Sequence, residues 1–163
     1  MNRYLWLIIF IALFSDFGLW SLSGVPSCWL SRSLFYTLVA LNVSSIASAT
    51  AAFCSMGQFF VLTGIFGLDL LIMVPLALLY NYSFKMADIS RFSLIIAVFA
   101  AVLLQRTLLE GYMVGIPLGR NDLFLAFLSS IAMVYLSAGS QGNRSSWYVL
   151  MRGKSGLQTK KVP

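Results

Sequence analysis

Long apolar runs, separated by short polar segments, constrain this chain more than any other feature of its sequence. A helix needs about 20 mostly apolar residues to cross the hydrocarbon core of a bilayer. Five runs approach or exceed that length, and each predicts a transmembrane helix. They cover residues 4–22, 34–54, 57–80, 92–113 and 123–138.

The composition supports the same interpretation. Apolar residues make up 60% of the 163-residue chain and charged residues only 10%, whereas a soluble domain carries about 25% charged residues to cover its surface. We therefore predict an all-α, polytopic transmembrane bundle of five spans, or six if a short span is hidden between them. Residues 1–138 form this transmembrane domain, and residues 139–163 form a basic cytoplasmic tail.

The distribution of positive charge predicts the orientation. With five spans, the loop around Arg32, the loop of residues 81–91 and the C-terminal tail share one side of the membrane. That side carries most of the lysines and arginines, and Arg3 and Arg120 lie on the other. Because positive loops remain in the cytoplasm, we expect a multi-pass membrane protein with its C-terminus in the cytoplasm. Five spans place the N-terminus outside, and a sixth, missed half-span would bring it inside without moving the tail. The net charge of +6 is assigned to this rule rather than to nucleic-acid binding.

Several kinds of chemistry are not indicated by the sequence. There is no histidine, which removes histidine-bound haem, histidine-bound zinc and histidine general bases. Cys28 and Cys54 form no CxxC motif and are expected to be unpaired thiols. No nucleophile with a base and no phosphate-binding loop appears. We expect no catalytic, cofactor or metal site, and hence not an enzyme.

Four ionisable residues interrupt the apolar runs and are the candidate functional residues, since charge at membrane depth is costly. Asp69 is the deepest. It could be an ion or proton site, a contact to a partner, or half of a structural ion pair, for instance with Arg106. Arg106 and Glu110 are spaced i, i+4 and can pair on one helix face. Asp16 could reach the interface or cap a kink.

A hinge is predicted around Asp69. Gly64 and Gly67 precede it, and Pro75 follows it. Glycine allows close backbone approach, and a proline within a span bends or opens the helix. A discontinuous helix at this depth can mark a binding site or a mobile joint, and it can also be a simple kink.

The same stretch resembles the signature of the rod shape-determining protein MreD family, in which glycines are followed by Asp-Leu-Leu and then by Pro-Leu. Here Gly64, Gly67, Asp69 and Pro75 match that pattern, and Arg32 with its apolar sequel is similar to a second family motif. Residues 72–74 and 77 depart from the family's small residues. The family is drawn with six spans.

The resemblance implies a non-enzymatic subunit of the lateral cell-wall synthesis machinery in the inner membrane, working with an MreC-like protein and peptidoglycan synthases. The alternative from the residues alone is a small transporter, or the substrate-binding subunit of one, in which Asp69, Arg106 and Glu110 line a polar cavity. Both interpretations place membrane lipids and other membrane proteins, and no nucleic acid, among the partners.

Overall fold

The computed structural model describes residues 3–23, 28–41, 45–64, 67–86, 90–113, 115 and 118–140, and all regular secondary structure within them is helical. The all-α prediction is therefore confirmed for this part of the chain. The helices are α1 (Arg3–Ser23), α2 (Trp29–Ala40), α3 (Ser45–Thr63), α4 (Leu68–Met86), α5 (Arg91–Arg106) and α6 (Arg120–Ser140). A π-helical segment, Thr107–Met113, continues α5 without a break. The predicted tail lies outside the described residues, except for positions 139 and 140, which belong to α6.

Three predicted spans correspond to single helices, and two do not. The runs 4–22, 92–113 and 123–138 match α1, α5 with its π segment, and α6. The run 34–54 crosses from α2 into α3, and the run 57–80 crosses from α3 into α4, so three helices replace the two predicted there. Hydropathy misses these breaks because leucine, alanine and serine occur on both sides of them.

The break between α3 and α4 has a backbone cause. Gly64 and Gly67 adopt φ angles of +70° and +85°, a region that glycine reaches without the steric cost that a Cβ imposes. The Gly64 N–H still donates to the carbonyl of Phe60, as expected at a helix C-terminus. The predicted hinge within one span is therefore wrong at the glycines, which join two separate helices.

The helix α5, with its π segment, runs in the opposite direction to α2, α4 and α6. Residue numbers rise along each of these three helices as they fall along α5, so the starts of α2, α4 and α6 share one end of the bundle with the end of the π segment. The contacts that fix these directions are Asp69–Gln105 and Tyr80–Ala97 for α4 and α5, Arg32–Glu110 and Tyr36–Gln105 for α2 and the α5–π helix, and Arg106–Asp122 and Phe99–Phe127 for α5 and α6.

The short helix α2 occupies the centre of the bundle. It contacts all five other helices, and its side chains are buried without interruption from Ser31 to Leu38. A helix that is buried on all sides lies in a core. At 12 residues and 1.5 Å per residue, α2 is only about 18 Å long.

The surface and interior of the bundle have inverted polarity. Large apolar side chains are exposed, for example Phe14 at 67% and Leu71 at 69%. Charged side chains are buried instead: Asp16, Arg32, Asp69, Arg106 and Glu110. Soluble proteins almost never bury such residues unless they are paired.

One continuous helical stretch has the length and composition of a membrane span. Residues Arg91–Gly111 have a mean hydropathy of 2.1. Shorter apolar stretches occur at Tyr4–Leu19, Ile46–Val61 and Leu68–Tyr82. One helix of the described residues could thus cross a membrane by this criterion alone.

Candidate functional site

A buried polar cluster, defined here as Arg32, Asp69, Gln105, Arg106 and Glu110, lies where α2 and α4 begin and α5 passes into the π segment. Arg32 is at its centre and is 1% exposed. Its Nη1 donates to Glu110 Oε1 at 2.5 Å, and its Nη2 lies 3.6 Å from Asp69 Oδ1. One guanidinium therefore faces two carboxylates from different helices. The expectation that Arg32 lies in a loop is wrong, because the structure places it in the first turn of the central helix.

Asp69 is held by hydrogen bonds from two other helices. Gln105 Nε2 donates to its Oδ1 at 2.9 Å, and the Ser55 hydroxyl donates to its Oδ2 at 3.1 Å. Gln105 is itself held by the Tyr36 hydroxyl, which donates to its Oε1 at 2.9 Å. The cation beside Asp69 is Arg32, so the suggested pairing with Arg106 is wrong.

Glu110 connects the two arginines of the cluster. Arg106 Nη1 contacts Glu110 Oε2 as an i, i+4 ion pair, as the spacing predicted. Arg106 Nη2 also lies 3.7 Å from Asp122 Oδ2 at the start of α6. Glu110 belongs to the π segment, a helix geometry that occurs frequently at functional sites.

Charge balance makes this cluster tolerable inside the bundle. Two arginines face two buried carboxylates, and Asp122, whose side chain is 18% exposed, adds a third at the rim. Buried charges persist only when they are paired and hydrogen-bonded. Asp69 and Glu110 belong to different helices, and Arg32 brings them together because it contacts both.

Asp16 caps the central helix rather than reaching the interface or a kink. Its side chain is fully buried and accepts the backbone N–H groups of Leu30 at 3.0 Å and Ser31 at 2.8 Å, together with the Ser31 hydroxyl at 2.7 Å. The first N–H groups of a helix lack intrahelical partners. Cys28, at the N-cap position, makes no side-chain cap, so a carboxylate from α1 supplies the acceptor.

The hinge candidates lie next to the cluster. Gly64 and Gly67 end α3 and lead into α4, and this places Asp69 in the first turn of α4. A carboxylate is favourable there because the helix N-terminus carries partial positive charge. Pro75 lies inside α4 and is exposed.

Sequence reasoning missed three of the polar side chains around Asp69. Tyr36, Ser55 and Gln105 are uncharged and sit in apolar or small-residue runs, where hydropathy gives them no weight. A usable signal existed for one of them: Tyr36 lies four residues after Arg32, on the same face of a helix.

The described residues contain no group of three or more histidine, cysteine, aspartate or glutamate side chains placed to hold a metal ion. Cys28 and Cys54 are free thiols. The cluster links α2, α3, α4 and the α5–π helix through charge-assisted hydrogen bonds, which are stronger than hydrogen bonds between neutral groups.

Comparisons of the chain with protein-family models, with curated proteins and with solved structures found no match.

Proposed function

We propose that the chain is a non-enzymatic, multi-pass subunit of a bacterial cell-envelope complex, similar to MreD in cell-shape control and lateral peptidoglycan synthesis. The observation that carries this proposal is the meeting of Arg32 with Asp69. These residues belong to the two separate stretches that resemble the family, and Arg32 Nη2 lies 3.6 Å from Asp69 Oδ1. A chance likeness of apolar helices gives no reason for both stretches to meet at one buried contact.

The inverted polarity supports insertion into a bilayer. Lipid solvates an apolar exterior, and backbone polar groups within helices are satisfied internally. Ionisable groups in membrane proteins face the bundle interior and pair with one another. Arg32, Asp69, Arg106 and Glu110 follow that pattern, whereas exposed Phe14 and Leu71 would meet water in a soluble protein.

Six alternating helices change the proposed topology. The start of α1 and the end of α6 then lie at the end of the bundle opposite the polar cluster. The helix ends at this side hold Arg3, Lys85 and Arg91, and the basic tail follows α6 in the sequence. The positive-inside rule therefore assigns this end to the cytoplasm. The C-terminus keeps its proposed side, and the N-terminus joins it. Since α2 is shorter than the hydrocarbon core of about 30 Å, we propose that it is enclosed by the other helices and does not cross the bilayer alone.

A scaffold is favoured over a transporter by the way the cluster is built. Arg32 and Glu110 are each bound by partners from other turns or helices, so the ion pairs fix how α2, α4 and the α5–π helix pack together. Lipid provides no hydrophobic force between helices, and polar contacts add to packing as a source of association. Such a cluster suits a rigid subunit that presents its outer surface to partners.

The transporter alternative retains one favourable observation. Asp122 is partly exposed and lies 3.7 Å from Arg106, which connects the rim of the bundle to Glu110 and Asp69. In that case Asp69→Asn would abolish ion- or pH-dependent uptake. In a scaffold the amide can keep the hydrogen bonds to Gln105 and Ser55 after local rotation, and function would be retained.

The test is affinity purification in mild detergent from the native host, with a C-terminal tag and identification of co-purifying proteins. Recovery of an MreC-like protein or peptidoglycan synthases supports the scaffold, and recovery of transport ATPase subunits contradicts it. Complementation of a deletion strain separates the two functions. The Asp69→Asn variant is compared with Arg120→Gln, a control at an exposed position. If the protein is a scaffold, both variants restore cell shape; if it is a transporter, the Asp69→Asn variant loses activity and the Arg120→Gln variant does not.

A further inference from the structure

Three buried polar atoms or groups on α2 and α3 have no hydrogen-bond partner among the described residues. They are the Arg32 Nε and Nη2 atoms and the side-chain amide of Gln58. Both residues are almost fully buried, Arg32 at 1% and Gln58 at 5% exposure. A buried polar group without a partner is unfavourable, and more so when it is charged, so each of these groups requires a hydrogen-bonding partner.

The position of Gln58 on α3 is the reason for placing it in the region where Arg32 faces Asp69. Gln58 lies three residues after Ser55, on the same face of α3, and Ser55 donates to Asp69. Phe59, the residue after Gln58, lies under the Arg32 guanidinium, with 5.9 Å between Arg32 Cζ and the ring centroid. The Arg32 Nη2 atom is 3.6 Å from Asp69 Oδ1, which is too far for a direct hydrogen bond and suits a bridged one.

We infer that Arg32, Asp69 and Gln58 form an internal site for water, which bridges the guanidinium to the carboxylate. Charge decides the class of ligand. Arg32 already contacts Glu110 and Asp69, so a further anion would meet two carboxylates, and a neutral molecule that both donates and accepts is favoured. A buried water needs two to four polar partners, and the site offers Arg32 Nε, Arg32 Nη2, Asp69 Oδ1 and the Gln58 amide.

Water reaches the site from the end of the bundle that carries Asp122. The Asp122 side chain is 18% exposed and faces Arg106, which pairs with Glu110, and Glu110 binds Arg32. Polar side chains thus continue from the rim to the Arg32–Asp69 gap. The proposed water site does not depend on the cell-envelope function proposed above.

The site is tested by the accessibility of engineered thiols to silver ion, a probe close to water in size. Ser55→Cys and Gln58→Cys are introduced singly into a Cys28→Ala/Cys54→Ala background. Ala51→Cys is the matched control, because Ala51 lies one turn from Ser55 on the same face of α3 but belongs to the apolar core at 1% exposure. The folded protein is first treated with silver ion in detergent and then denatured and labelled with a fluorescent maleimide. A thiol that has reacted with silver is not labelled, so the loss of fluorescence measures the silver reaction.

We expect S55C and Q58C to react about tenfold or more faster than A51C, since a hydrated thiol ionises and a thiol in a dry core is inert. Adding Asp122→Leu should slow both reactions, and Asp122→Asn should not. Equal, slow rates for the three thiols would show a dry site and overturn the inference. Equal, fast rates would also overturn it, because opening of the whole helix would then explain access.

Discussion

Replacing Arg32 by methionine should destabilise the protein more than any other single change in the polar cluster. The side chain is 1% exposed and faces both Glu110 and Asp69. After its removal Glu110 keeps Arg106, whereas Asp69 keeps only neutral donors. Removing one partner of a buried ion pair costs about 3–5 kcal/mol because a buried charge is left uncompensated. We expect a loss of free energy of unfolding in that range.

Asp69→Asn supplies the second arm of a double-mutant cycle. The amide carries no charge, so the Arg32→Met/Asp69→Asn double variant should be more stable than the sum of the single effects predicts, by about 1–3 kcal/mol. The assay is reversible unfolding in mixed micelles, followed by tryptophan fluorescence. Arg120→Met, an exposed arginine near the same end of the bundle, serves as the control and should leave the unfolding curve unchanged.

Two results would refute this reasoning. A loss below about 1 kcal/mol for Arg32→Met would mean that the guanidinium does not compensate buried carboxylates. Strictly additive single effects would mean that Arg32 and Asp69 do not interact in the folded protein.

Three further predictions follow from the fold. Asp16→Ala removes the acceptor for two N–H groups of α2 and should cost about 1–2 kcal/mol in the same unfolding assay; no loss would mean that water replaces the cap. Gly67→Ala places an alanine at a backbone φ of +85°, where no other atom lies within 4 Å of the added Cβ, and should lower the free energy of unfolding by about 1–2 kcal/mol through backbone strain alone. The control, Gly18→Ala within α1, should raise the free energy of unfolding by up to about 1 kcal/mol. Equal effects of the two substitutions would contradict this prediction. Reporters fused before Met1 and after Pro163 should report the same side of the membrane, and opposite sides would contradict six alternating helices.

The sequence predicted those features that depend on average polarity or on local spacing. Apolar runs identified the helices around residues 4–22, 92–113 and 123–138, because a helix in a low-polarity environment needs little more than a continuous apolar stretch. The Arg106–Glu110 pair followed from its i, i+4 spacing, which is a property of one helix. Composition alone indicated a chain with too few charges to cover a soluble surface.

Helix ends and the partners of Arg32 were decided by the tertiary structure. Hydropathy averages over a window, so it ran across the end of α2 and across Gly64 and Gly67, where backbone conformation rather than polarity ends a helix. Arg32 and Glu110 are separated by 78 positions in the chain, and their contact exists because α2 and the α5–π helix run antiparallel at the centre of the bundle. No local pattern encodes that arrangement. The packing of five helices around α2 makes Arg32, which the sequence placed in a loop, the central residue of the site.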